Sequence, residues 1–430
     1  MAARAAAHGT MNRREAGRTA LALLALAAVP RAFAQRAADG GYPRLLGMNI
    51  GAKNYDDPAY QAQLARLDVV ILGFYPGWHG DRDGSTIRAT VQQIKRRNPA
   101  LRIGQYTVLN EASDDRLKAA SDRDKIDKLD QQGWWLRNAA GAKQQWSQAY
   151  GAWDINISRF AHPDADGDRY PQWLAKRDAR LFFARVPEFD IWYFDNVMAR
   201  SRVAAADWRG NGSSLPGNDP EIASAFRQGM ADEWATARAL DPNALLMGNA
   251  DSDLSQPEYR GQLQGAFLEA LIGKSYSIER REGWRPMMDR YLGVFANLRA
   301  PRLVGFNMAS RPDDYRGFRY GFASCLLGDG YFSFTDDKAG YSSVVWFDEY
   351  DQRTGRAAEP PPRAAWRDGV WRRRYDSALA LVNPDSRPHT VALEPGWRRF
   401  RGNQAADVNN GQPAVELTLP ARDGILLVKA

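Results

Sequence analysis

The sequence predicts a (β/α)8 TIM barrel, an α/β fold, followed by a small C-terminal antiparallel β-domain. Three observations predict it. From residue 45 onward short apolar runs recur, most of them followed by a stretch with helical periodicity, which is the alternation of a parallel barrel. The runs count to eight, and 430 residues hold a barrel of about 250 residues together with an appendage. After Val370 the texture changes to short alternating runs separated by Asn-Pro, Pro-Gly and Asn-Asn-Gly turns.

The elements follow in order. Strand one is expected over Leu45 to Gly51 with a helix over Tyr60 to Leu67, strand two over Asp68 to Trp78 with a helix over Ser85 to Arg97, and strand three over Leu101 to Asn110 with a helix over Asp114 to Gln131. A long excursion rich in tryptophan (Trp134, Trp135, Trp146, Trp153, Trp173) precedes strand four, Ile191 to Phe194; a loop of that length in a compact domain is usually functional. A helix over Pro220 to Leu240 ends at Asp241-Pro242, and strand five is Leu245 to Asn249. Strands six, seven and eight are Ala266 to Leu271, Arg302 to Met308 and Tyr331 to Phe334. The barrel thus occupies residues 42–352. Residues 353–369, centred on Pro360-Pro361-Pro362, read as a linker, and 370–430 as a sandwich-like β-domain with strands over Ser377 to Val382, His389 to Leu393, Ala414 to Leu419 and Gly424 to Val428.

Residues 1–34 read as an export signal: Arg13-Arg14, the apolar run Ala20 to Val29, and Ala32-Phe33-Ala34 before Gln35 resemble a twin-arginine leader, and a plain secretory signal leads to the same periplasmic or secreted destination. The apolar run is too short to span a bilayer, so no integral span is expected once the leader is gone. The leader holds five arginines and one glutamate, so the net charge of +7 falls to about +3 without it, which is no footprint for nucleic acid.

Composition narrows the chemistry. The single Cys325 excludes an internal disulfide, and four histidines make a His-rich metal site or a Ser-His-Asp triad a poor fit; no metal or cofactor is expected, and the carboxylates are left to act. In a barrel the reacting groups sit at the C-terminal ends of strands, and two such ends carry acids: Phe194-Asp195-Asn196 after strand four and Leu268-Glu269-Ala270 in strand six. Glycosidic cleavage needs two carboxyl groups flanking one bond, which Asp195 and Glu269 supply, with Asp251 as the rival acid after strand five. An Asp-Asn pair that caps a turn, or a Glu paired with a loop Arg, is the plainer alternative for each. Asp251 and Asp253 also read as a loop cluster, with calcium as a weak option. Substrate-binding candidates at the strand ends are Asn49, Tyr75, Trp78, Asn110, Asn196, Asn249, Asn307 and Asp336, and Trp135, Trp153 and Asp154 are candidates for a stacking wall on the excursion.

Trp192-Tyr193-Phe194-Asp195-Asn196-Val197, Gly248-Asn249-Ala250 and Phe267-Leu268-Glu269 resemble the glycoside hydrolases related to the endo-α-1,4-polygalactosaminidase family and, more distantly, the barrel clan of the α-galactosidases. The likeness extends over the Trp134 to Asn156 segment and the tail around Val382-Asn383-Pro384 and Asp423 to Leu427. It implies a nucleophilic Asp195 and a later general acid/base, for which both Asp251 and Glu269 qualify. The partner it implies is an α-linked polysaccharide or oligosaccharide, amino-sugar polymers included. A non-catalytic glycan-binding barrel is the alternative.

Overall fold

The computed structural model describes residues 41–51, 55–73, 85–117, 122–250 and 252–430. The expected leader, together with Tyr75, Trp78 and Asp251, lies outside them.

Eight parallel strands form one sheet in sequential order: β1 (Leu46–Met48), β2 (Val69–Leu72), β3 (Arg102–Val108), β4 (Ile191–Asp195), β5 (Leu245–Asn249), β6 (Gly265–Ile272), β7 (Leu303–Ser310) and β8 (Tyr331–Asp336). The sheet closes on itself where Leu45 bridges Phe332 in parallel and the Phe332 amide donates to the Arg44 carbonyl over 2.8 Å. Helices α1 (Pro58–Leu64), α2 (Ser85–Arg97), α3 (Arg123–Gln132), α4 (Tyr170–Asp178), α5 (Pro220–Leu240), α6 (Ile278–Glu282), α7 (Trp284–Val294) and α8 (Tyr315–Leu326) lie between and after the strands. Asp57, Asp219 and Asp314 each accept an N-terminal backbone N–H of α1, α5 and α8, supplying the side-chain caps those helices need.

Period-two alternation along the strands sorts the side chains into two cores. Inward-facing Leu46, Met48, Val69, Ile71, Tyr106, Ile191, Tyr193, Met247, Phe267 and Leu303 fill the barrel, so it is packed rather than hollow. Outward-facing residues such as Val70, Ile103, Trp192, Phe194, Leu246 and Val304 meet the helices. The same phase carries the residues that follow, Asp195 after Tyr193, Asn249 after Met247 and Glu269 after Phe267, to the barrel mouth.

The C-terminal unit is a four-stranded sheet of β9 (Trp371–Arg374), β10 (Ala378–Asn383), β14 (Asp423–Lys429) and β12 (Trp397–Arg399), facing the pair β11 (His389–Ala392) and β13 (Glu416–Leu419) across its own apolar core. It docks on α8. A buried ion pair joins Arg319 of α8 to Asp423 of β14 at 2.9 Å, and beside it Gly424 lies so near α8 that a Cβ there would come within 2.6 Å of the Arg319 carbonyl. Residues 353–369, expected as a linker, are bonded on both sides: the Gly355 carbonyl accepts from the Tyr42 amide, and Glu359 accepts from Arg372 and from the Arg374 amide. A second tie crosses the barrel seam, where Asp329, just before β8, accepts from the Tyr42 hydroxyl at 2.9 Å and from Arg373 of β9 at 2.6 Å. No described helix is long and apolar enough to cross a membrane.

Candidate active site

Asp195, Asn249 and Glu269 stand at the ends of three successive strands, β4, β5 and β6. The Asn249 side-chain nitrogen donates to Asp195 Oδ1 at 2.9 Å and to Glu269 Oε2 at 2.8 Å. Because one nitrogen bonds both, these two carboxylate oxygens lie no more than about 5.7 Å apart. Each carboxylate also accepts from a phenol: Tyr106 of β3 donates to Asp195 Oδ2, and Tyr341, on the segment after β8, donates to Glu269 Oε1. Burial, reinforced by the neighbouring carboxylate, pushes both phenols well above the usual tyrosine range, so both remain protonated donors. Tyr106 stacks on Tyr193 at 5.8 Å, and Phe267 meets Tyr193 edge-on, giving the site an aromatic floor. No arginine, lysine or histidine bonds to Asp195 or Glu269 among the described residues. Asp195 is half-buried and Glu269 is exposed.

The backbone around both acids is unusual. Asn196 has φ 53° and Ala270 has φ 48°, left-handed values that cost a non-glycine residue free energy and persist only where the surroundings impose them. At Ala270 the restraints are visible. The pairing of β6 with β7 slips between Leu268 and Ile272, forming a bulge that carries Glu269. The Ala270 amide donates to Asn307 Oδ1 at 2.9 Å, and its carbonyl accepts from Ser277 Oγ at 2.6 Å. Asn307 is itself buried, with its amide nitrogen on Ser333 and Thr335.

Beside Asp195 lies a second acidic pair. Glu111 and Asp154 face each other across a two-residue antiparallel bridge. Glu111 accepts from the Trp146 indole at 2.7 Å and from Asn196 Nδ2 at 3.3 Å, while Asp154 accepts from the Trp146 amide at 2.9 Å. Burial raises the Glu111 carboxyl above its ordinary range and pushes Asp154 up to about 7, with the charge of Glu111 adding to the shift at Asp154. The Arg202 guanidinium lies 4.3 Å over the Trp146 ring and partly offsets both shifts.

The structure therefore brings together Asp195, Asn196, Asn249 and Glu269 of the residues expected from sequence, with Asp154 at the margin. Others are corrected. Asn49 is buried and engaged with Tyr60 and the Ser343 carbonyl, so it is not a hydroxyl-binding group of the mouth. Asn307 acts on the Ala270 backbone instead of lining the mouth. Asp336 caps its own turn by accepting from the Lys338 and Ala339 amides, and so shapes the segment that delivers Tyr341. Trp135 is buried, its indole is bonded to Asp130 and its ring is covered by the Lys143 ammonium at 4.1 Å, so it offers no stacking face. Trp153 is half-buried against the core. Asn110 is buried, and neither atom of its amide has a hydrogen-bond partner among the described residues. Asp253, rather than joining an acidic ion site, accepts from the Ala199 amide. Among the described residues no group of three His, Cys, Asp or Glu is arranged to hold a metal ion.

Sequence reasoning missed Tyr106, Glu111 and Tyr341. Glu111 is signalled as clearly as Glu269, as an acid following an apolar strand. Tyr106 lies in the inward phase of β3. Nothing local marks Tyr341, which reaches the site only through the turn after β8.

No family model and no curated protein matches the chain. Solved structures to which it is similar include the glycoside hydrolase domain of PelA from Pseudomonas aeruginosa, at 16% identity over 71% of this chain and 98% of that one, with a TM-score of 0.46. They also include the trehalulose synthase MutB from Pseudomonas mesoacidophila MX-45 (12% identity, 90% and 97% covered, TM-score 0.48) and Eubacterium rectale Amy13B (10%, 92% and 98%, 0.46). At similarities this remote, the chemistry of the mouth stands on its own residues.

Proposed function

We propose that the protein is a retaining glycoside hydrolase that cleaves O-glycosidic bonds of an α-linked polysaccharide, amino-sugar polymers included, with Asp195 as nucleophile and Glu269 as general acid/base. The observation that carries the reading is the single amide, Asn249, bonded to both carboxylates. With both facing oxygens on one nitrogen, they lie no more than about 5.7 Å apart, which favours the roughly 5 to 5.5 Å of retaining enzymes over the roughly 6.5 to 9.5 Å that inverting ones need to admit a water. Asp195, half-buried and with both oxygens hydrogen-bonded, is oriented to attack the anomeric carbon. Exposed Glu269 gives its proton to the departing glycosidic oxygen, then takes one from the water that hydrolyses the glycosyl ester and regenerates Asp195.

The test is hydrolysis of an α-1,4-linked galactosaminan followed by proton NMR of the first product anomer. Retention, together with loss of turnover in Asp195→Asn, supports the reading; an inverted anomer or an active Asp195→Asn variant overturns it. Binding of the polymer by the wild-type chain without product would favour the glycan-binding alternative. The same reading has the enzyme exported to the periplasm or beyond, on the strength of Arg13-Arg14, the apolar run and Ala32-Phe33-Ala34. Fractionation of cells making the wild type and an Arg13→Lys/Arg14→Lys variant tests this, and unchanged retention of both in the cytoplasm would end it.

A further inference from the structure

Tyr150 and Tyr276 are among the few large apolar side chains of the described residues left in solvent, 66% and 57% exposed. Single exposed aromatics need no explanation, but these two converge on the mouth. Tyr150 packs against Trp146 with ring centroids 5.2 Å apart. Trp146 is fixed from below by Glu111, the residue that also holds Asn196 beside Asp195, and is capped by Arg202. From the other side, Tyr276 sits in the loop after β6. Ser277 ties that loop to the bulge through Ala270 and accepts from the Lys274 amide at 2.9 Å, so the loop bearing Tyr276 is fixed to the bulge that carries Glu269. Burial raises the Tyr276 phenol, with the charges of Glu269 and Tyr150 adding to the shift, which fits the placement of its loop on the Glu269 side of the mouth. Neither phenol has a hydrogen-bond partner among the described residues, so their hydroxyls and the exposed parts of their rings suit a ligand with an apolar face and a hydroxylated edge. A pyranose ring has both.

We propose that Tyr150 and Tyr276, backed by Trp146, form a stacking subsite for the sugar on the leaving-group side of the scissile bond, so that the substrate is a chain extending past Glu269. The assignment of the side rests on Glu269 being the proton donor; the binding itself does not. Two substrates separate these. On an α-1,4-linked galactosamine oligosaccharide, Tyr150→Ala and Tyr276→Ala should each lower kcat/KM about tenfold, mostly through KM, and the double variant more. On the α-glycosyl fluoride of the same oligosaccharide, whose leaving group is a single atom, all three variants should match the wild type to within about twofold. Equal losses on both substrates, or none on either, overturn the proposal. In the Asp195→Asn background, calorimetric binding of the intact oligosaccharide should weaken about tenfold on loss of either ring. That measurement needs no turnover, so it decides the subsite even where the hydrolase reading fails, and unchanged affinity overturns it. Because both rings are exposed, the variants should melt with the parent.

Discussion

The barrel mouth and the junction with the C-terminal domain both hold acids in fixed hydrogen-bond networks, but they treat them in opposite ways. At the junction Asp423 meets Arg319, and around α4 the buried Arg177 gathers Asp122, Asp124 and Asp178, so each acid has a cation. At the mouth Asp195 and Glu269 share a neutral amide, and each accepts from a phenol. The chain has arginines to spare, and among the described residues none bonds to them. Leaving two neighbouring carboxylates uncompensated costs stability and keeps both free to react, which is the trade expected of a catalytic site and not of a structural one.

The contrast predicts opposite phenotypes. Asp195→Asn should lower turnover at least about a thousandfold and raise Tm, because it removes the proposed nucleophile and a repulsion together; loss of Tm with retained turnover would erase the distinction. Glu269→Gln should cost about a hundredfold or more on a sugar leaving group and far less on a glycosyl fluoride, since fluoride departs without a proton. Arg319→Met should do the reverse. It strands Asp423 in the interior and should cost about 3–5 kcal/mol in denaturant unfolding, while kcat of the folded fraction stays unchanged.

Asn307→Ala joins the two regimes. It removes the acceptor of the buried Ala270 amide, costs about 1–3 kcal/mol, and should lower kcat without raising KM because the bulge bearing Glu269 is no longer fixed. The smallest effect lies at Asp154. Its folded-state carboxyl sits above the unfolded value, so its contribution to stability is complete below about pH 4 and is lost as the pH rises toward about 7. Asp154→Asn, which retains an acceptor for the Trp146 amide, should flatten the dependence of Tm on pH across that window; an unchanged slope would show that Asp154 does not carry it.

Much of the frame was legible because it rests on period. α2, α5 and β5 have the bounds expected for them, and the remaining barrel strands overlap the expected runs, since inward and outward phases both demand apolar residues along a buried parallel strand. Asp195 and Glu269 stood out as acids where apolar strands end. The link between them did not: Asn249 was one polar strand end among many, and only geometry gives it two carboxylates. Tryptophan content misled for a related reason. Trp134 and Trp135 are buried, whereas the rings that face solvent at the mouth are Tyr150 and Tyr276, and sequence does not tell which side of a loop packs inward. β9 is not marked as a strand within the expected β-domain because three successive arginines, Arg372 to Arg374, mask its alternation, although Arg373 is buried with its guanidinium on Asp329.

That guanidinium has a consequence for how the molecule is made. Asp329 ties Tyr42, at the first edge of the cylinder, to Arg373, in the domain that follows it. During synthesis on the ribosome, every residue of the seam itself, Tyr42, Arg44, Leu45, Asp329 and Phe332, emerges before Arg373. The order of translation thus lets the barrel shut first and leaves the trailing domain to add a rivet to a joint already made.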